Sequence, residues 1–382
     1  MNKLLLSVSL LLLLPTQFVH ADANRKECIG RLTFDVTEDM KWATFNAAYV
    51  DRITDGGGQG FSKKVGAPGD HANYGDNEGP VIYVSDIVER SMLSHAVDYR
   101  KGTSRRGQAS SEKQVDTYSD MIASLKKSVA EGQDIPDEYI KSIEQDREVL
   151  RKKIPLTQTY EHDIGLNIPD AYFLGTKTSI YYVLLWRNNR VYFFDFRGND
   201  KNRVQRIKDL IARFEPRDLY QVPEGPGFCF PYGFIHDDGK TKYSIKNSLR
   251  FTREPNVIFT ILNASPGDPY MKATSGTYNT DYRPGYDREN WEKTEFVEPL
   301  YFDRRLAGMD GWRLDPKPGS AEKERAWFGL AKTGGLTTPL IAVQAKTFKQ
   351  GTDDLTGLTP PPEVLMPSLK ALTKSMKQTL GE

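Results

Sequence analysis

One stretch constrains the fold more than any other. Residues 178–186 (TSIYYVLLW) and 191–196 (VYFFDF) are two β-branched and aromatic runs separated by Arg187-Asn188-Asn189-Arg190. Runs of this kind are strands, and an Asn-Asn pair accepts the positive φ of a tight hairpin turn. Antiparallel pairing is therefore built in locally. Other short runs repeat the theme without alternating with helices in a βαβ rhythm. They are 29–36 (IGRLTFDV), 42–49 as its partner, 81–84 with 86–99 continuing it, 243–251, 256–262, 295–302, 327–331 and 340–346. Strands and helices in separate blocks indicate an α+β class rather than a doubly wound sheet.

Helical spacing is confined to a few places. Val115, Tyr118, Ile122, Leu125 and Val129 step by three and four, and Ile140, Ile143, Leu150 and Ile154 continue the stripe beyond a break at Gly132–Pro136. This predicts a charged helical hairpin over about 100–153, with Asp137 capping its second helix. It serves either as an insertion covering a sheet or as a partner-binding arm. Val204, Ile207, Leu210, Ile211 and Phe214 predict a helix capped by Asn199, and Leu365, Leu369, Leu372, Met376 and Leu380 predict another near 363–380. Pro216 and Pro223 place a domain boundary close to 220. The expected organisation is an N-terminal α+β domain, 22–220, and a C-terminal one, 221–382, each a mainly antiparallel sheet with packed helices.

The first 21 residues predict an address. Lys3 precedes an apolar stretch, Leu4–Leu14, interrupted only by Ser7 and Ser9, and Val19-His20-Ala21 has the small residues of a cleavage site. That stretch spans only about half of a hydrocarbon core, so a cleaved secretory signal is expected and not an anchor. In an oxidising compartment the two cysteines, Cys28 and Cys229, are expected to bridge, with two unpaired buried thiols as the alternative.

Charge is balanced, 52 Lys+Arg against 51 Asp+Glu, which argues against a nucleic-acid binder. The sequence holds no assembled catalytic site. Asn263-Ala264-Ser265-Pro266-Gly267 lacks the first glycine of a nucleophile elbow and puts Pro where an oxyanion N–H is needed. His71, His95, His162 and His236 form no ligand pair at helical spacing. Asp70, Asn73, Asp76, Asn77 and Glu78 offer oxygens without calcium-loop spacing. His236-Asp237-Asp238 is either an acid–base cluster of an exported hydrolase or a turn. No catalytic, cofactor-binding or metal-binding residue is assigned. The segment 264–294 holds Tyr270, Tyr278, Tyr282, Tyr286 and Trp291 among small polar residues, the palette of a binding loop. With Phe61 and Tyr74 of the Gly-rich 54–79 connection, these are the candidate partner-binding residues. Aromatics in loops also suit a cell-wall or carbohydrate-binding module.

Three groups of anchors carry a family resemblance. They are Cys28-Ile29-Gly30-Arg31 with Phe34-Asp35-Val36 and Trp42-Ala43-Thr44-Phe45; Gly227-Phe228-Cys229 with Gly233-Phe234-Ile235 and Asp237-Asp238-Gly239; and Arg304-Arg305-Leu306-Ala307-Gly308-Met309 with Gly311, Trp327-Phe328-Gly329-Leu330 and Pro339-Leu340-Ile341. In these the chain resembles the two-domain immunity proteins that neutralise type VI secretion lipase effectors, the Tle cognate immunity protein 4 family. The resemblance implies a soluble periplasmic protein without enzymatic activity, whose partner is a cognate secreted phospholipase or lipase. It acts by occlusion, without cofactor and without a membrane span after signal removal.

Overall fold

The computed structural model describes residues 25–53, 58–76, 79–198, 200–267, 283 and 285–381. The expected signal segment and the Asn199 cap lie outside them. Among the described residues thirteen strands form one antiparallel sheet. From one edge it runs through Trp291–Phe302, Arg305–Pro316, Ala326–Thr333, Leu340–Thr347, Val257–Ala264 and Tyr243–Phe251. It continues through His71–Tyr74, Pro80–Val84, Arg190–Phe196, Ser179–Arg187, Ala171–Thr176 and Tyr160–Glu161. Met40–Trp42 pairs beside it with Tyr243–Phe251. The first six strands come from the C-terminal half and the next six from the N-terminal half. The halves join where Tyr243–Phe251 pairs with His71–Tyr74, so they share a sheet.

The hairpin that led the sequence reading forms as expected. Ser179–Arg187 pairs with Arg190–Phe196, and Asn188 and Asn189 turn at φ 47° and 57°. All seven residues of Arg190–Phe196 are buried. Tyr192, Phe194 and Phe196 enter the main core, while Val191 and Phe193 enter a second cluster on the opposite face. Period-two alternation with apolar residues on both sides marks a strand covered twice. On the main-core side the cover is the helix Arg203–Arg213, the helix Pro362–Ser375 and two small three-stranded sheets. On the other side it is the short 3-10 helix Ala47–Arg52 and the start of the long helix Ser91–Ala130.

Several boundaries differ from expectation for identifiable reasons. Residues 29–36 are not one strand: Arg25–Ile29 and Leu32–Val36 form a hairpin that turns at Gly30 and Arg31. The strand Met40–Trp42 pairs elsewhere in the sheet, and Ala47–Arg52 is helical. The run 86–99 does not extend a strand, because Leu93, Ala96 and Val97 are spaced for one helix face and the long helix begins at Ser91. Asp137 is the first residue of its helix and Pro136 occupies the cap, so Asp137 does not cap it. Asn202 stands at the start of Arg203–Arg213 without a side-chain cap bond. The C-terminal helix stops at Ser375, and Lys377–Gln378 adds a strand beside Leu32–Val36. Arg305–Pro316 is a full strand that its glycines and charges concealed.

The charged helical hairpin is present as Ser91–Ala130 and Asp137–Lys153. The forty-residue helix is about 60 Å long. Its distal half packs against the second helix, through Val115, Ile122, Ile140 and Ile143. Lys126 pairs with Glu144 at 2.7 Å beside that seam.

Candidate partner-binding surfaces and the central joint

The first two groups of resemblance anchors meet at one place. Gly30 and Cys229 exchange backbone hydrogen bonds of 2.7 and 2.8 Å. Gly30 sits at φ +61°, and a Cβ there would lie 2.3 Å from Asn263 Oδ1, so the turn requires glycine. Beside it Cys28 and Cys229, 201 positions apart in sequence, form a buried disulfide with Cα atoms 5.8 Å apart. The two cysteines are bridged, as expected.

Arg31 follows that turn and is the hub of the joint. Its guanidinium grips both Asp237 oxygens at 2.8 Å and donates to the carbonyls of Gly227, Leu380 and Thr241 at 2.9, 3.2 and 3.0 Å. The ring of Tyr243 lies under it, 5.2 Å from centroid to Cζ. Both charged side chains are 3% exposed. Burial acts to raise the Asp237 pKa. The Arg31 hydrogen bonds, the Gly239 N–H, the Arg31 charge and the Tyr74 hydroxyl outweigh it and hold the carboxyl below its usual range. A second buried pair, Arg217 with Glu27, flanks the disulfide. Glu27 also accepts from the Cys28 and Tyr220 N–H groups at 2.8 and 3.0 Å.

This arrangement leaves His236, Asp237 and Asp238 without a shared purpose. Asp237 faces inward to Arg31. His236 points outward to Glu215 at 2.7 Å, and Asp238 accepts from the Lys240 N–H in the turn at 3.0 Å. The one group of three potential metal donors found among the described residues is Glu27, Cys28 and Cys229. Both of its sulfurs are in the bridge and its carboxylate is ion-paired.

Of the loop aromatics, Tyr270, Tyr278 and Tyr282 lie outside the described residues. Tyr286 and Trp291 are buried at 8% and 2%, packing edge to face over Trp312, Leu314 and Phe328. Tyr74 is 4% exposed and donates to Asp237 at 3.0 Å. Phe61 is half-buried with the Arg250 guanidinium 4.8 Å over its ring. Asp70, one of the candidate calcium oxygens, is buried and accepts from the Ser248 N–H and hydroxyl at 2.7 and 3.1 Å. Burial, opposed by the Lys246 charge, the Ser248 hydrogen bonds and Lys346, pushes its pKa up to about 7. Its neighbour His71 is driven down to about 4, chiefly by burial. Asp76, another of those oxygens, pairs with Arg206 at 3.3 Å.

No helix among the described residues is long and apolar enough to cross a membrane. Concave surface includes a groove of about 270 Å³ lined by Phe296, Arg313, Glu363, Met366 and Lys370. Its rim is occupied by ion pairs of Arg313 with Asp315 and Glu363.

No family model and no curated protein matches the chain. Solved structures do. The immunity protein TplEi of the T6SS from Pseudomonas aeruginosa, complexed with "L" peptide, aligns over 94% of this chain and 98% of its own, at 11% identity and TM-score 0.46. Its apo structure aligns over 94% and 97%, at 11% identity and TM-score 0.42. The Tle4-Tli4 complex contributes a chain aligned over 94% and 98%, at 11% identity and TM-score 0.40. The chain is thus similar to T6SS immunity proteins.

Proposed function

We propose that the chain is a periplasmic immunity protein that binds a cognate type VI secretion phospholipase or lipase and occludes it, protecting the producing cell. The observation that carries this reading is the joint. The anchors of the resemblance, Cys28-Ile29-Gly30-Arg31 and Gly227-Phe228-Cys229 with Asp237, are some two hundred residues apart in sequence. In the fold they make one bonded unit. A resemblance carried by residues that support one another structurally concerns a common architecture rather than scattered coincidences. The joint ties the N-terminal hairpin to the first strands of the second half. It fixes the pose of surfaces that act together on one partner.

Occlusion needs no chemistry from the chain. It requires a pre-ordered surface, a standard-sized contact and a few buried anchors in it. The disposition of His236, Asp237 and Asp238 supports this reading over an exported hydrolase, since they face three different ways.

The test is direct. The full-length product of the neighbouring gene, where that gene encodes a lipase-class toxin, is purified and mixed with the mature chain. A stable complex and stoichiometric loss of lipase activity are expected. Hydrolysis of lipid, glycan or peptide by the mature chain alone would overturn the reading.

A further inference from the structure

The strand Trp291–Phe302 ends the thirteen-stranded sheet and pairs along its length with Arg305–Pro316. Side chains alternate between its two faces. Leu300, Phe302 and Met309 point into the main core and are at most 2% exposed. At one end the opposite face is covered: Trp291, Trp312 and Leu314 are buried there with Tyr286. Towards the hairpin turn the same face is bare. Val297 is 69% exposed, Tyr301 47% and Leu306 62%. Pro299 is exposed between them.

These residues are contiguous. Tyr301 stands opposite Leu306, Pro299 opposite Gly308 and Val297 opposite Asp310. Gly308 adds no side chain, and a Cβ there would touch Val297 at 3.5 Å, so the apolar surface is unbroken across the pair. Apolar side chains exposed singly carry no message, whereas several together with an aromatic mark a contact site.

Two features identify the occupant. Exposed carboxylates of Glu295 and Asp310 border the apolar group, while Lys293 lies towards its covered end and Lys332 on the adjoining strand beyond Gly308. A second copy of the chain would bring the same carboxylates to the contact, whereas a partner with Lys or Arg beside an apolar segment satisfies them. Pro299 also removes a backbone donor from the edge strand, and the charges along it oppose strand addition. The contact is therefore made by side chains on the face, not by extending the sheet.

We propose that the face formed by Val297, Pro299, Tyr301 and Leu306, bordered by Glu295 and Asp310, is the docking surface for the toxin, receiving an apolar segment flanked by basic side chains. This rests on the immunity reading above and specifies where it is executed.

The experiment measures binding of the purified, full-length neighbouring-gene toxin to three forms of the mature chain by calorimetry. They are wild type, the double variant Val297→Asp/Leu306→Asp, and the exposed control Ile87→Asp. The expected result is affinity weakened about 100-fold or more in the double variant, since truncated anchors at a contact centre have effects of that size. The control should bind as wild type. Glu295→Lys/Asp310→Lys should slow association and flatten its salt dependence. Sedimentation of the free chain is run alongside. A double variant that binds like wild type overturns the docking surface and leaves the immunity reading standing. A wild-type dimer that the double variant dissolves assigns the face to a second copy and also overturns the proposal. Absence of any wild-type complex overturns both.

Discussion

The joint around Arg31 and the outer hairpin are made from the same materials, strands carrying arginine, carboxylate and aromatic side chains, arranged in opposite ways. At the joint the charges are inside. Arg31 and Asp237 are 3% exposed and bonded to each other in two places. At the hairpin the apolar groups are outside: Val297, Tyr301 and Leu306 face water. A buried ion pair gives little net stability against a hydrophobic replacement, but breaking one half of it is costly. An exposed apolar group adds nothing to the fold of the free chain. Tolerance therefore differs between the two regions: substitutions at the joint act on folding, and substitutions on the hairpin face act on recognition.

The largest expected effect is at the joint. Arg31→Ala leaves Asp237 buried without its cation and strips donors from three carbonyls, so a loss of about 3–5 kcal/mol is expected in urea unfolding. Arg217→Ala should cost a similar amount by leaving Glu27 alone. An unchanged midpoint in either would break the comparison at its strong end. Because the Asp237 pKa is held down, its contribution is complete above the ordinary carboxyl value. It is lost as pH falls through the lowered one.

Next comes the bridge. Cys28→Ser with Cys229→Ser opens a loop spanning 201 residues. A loss of roughly 2–5 kcal/mol is expected for a native disulfide, with chain-entropy reasoning placing a loop this long near the top of that range. Melting that is identical for the mutant and the oxidised wild type would show that the surrounding bonds suffice by themselves.

A smaller effect reports on burial without a paired cation. Asp70 is raised to about 7 from an ordinary 3.8. Between those values the unfolded chain gives up the proton first, so this carboxyl lowers stability as pH rises from about 4 to 7, and no further above that. His71 works the other way, because its folded pKa of about 4 lies below the ordinary 6.5. Stability from His71 is present above 6.5 and lost as pH falls towards 4. The two slopes oppose each other in the intact chain. Asp70→Asn keeps His71 and removes one slope, so wild type should lose roughly 1–4 kcal/mol relative to the variant from pH 4 to pH 7.5. A difference independent of pH would mean that Lys246 and Lys346 keep Asp70 ionised throughout.

Much of the fold was legible because its signals are local. The Asn188-Asn189 turn, the strand Val191–Phe196 that follows it and the seam of Ile122 with Ile140 and Ile143 are written in adjacent or evenly spaced residues. Non-local features were not. Glu27 and Arg217 look like ordinary surface charges until the chain brings them together. Arg31 is similar, apart from its place after a glycine and a cysteine. The strand Arg305–Pro316 was hidden by its own composition. Its apolar residues fall on both faces, Leu306 and Trp312 on one and Ala307 and Met309 on the other, so no clean alternation shows, and Gly308 and Gly311 read as loop. Aromatic content drew attention to Tyr286 and Trp291, which are buried. Tyrosine content alone does not separate a core from an interface.

The smallest expected effect closes the comparison from its weak end. Leu306→Asp exchanges a side chain that is 62% exposed, so folding removes little water from it and the substitution should shift unfolding by no more than about 0.5 kcal/mol. The core side of the same hairpin offers the matched contrast. Met309 is three residues along the strand, fully buried beside Leu300, and Gly329 packs so closely that a Cβ there would lie 2.7 Å from its sulfur. Met309→Asp buries an unpaired carboxylate and should cost several kcal/mol. If Leu306→Asp unfolds the chain as Met309→Asp does, the outer face is covered in the free protein and contributes to its stability. If only Met309→Asp does so, the two faces of one strand divide folding from recognition.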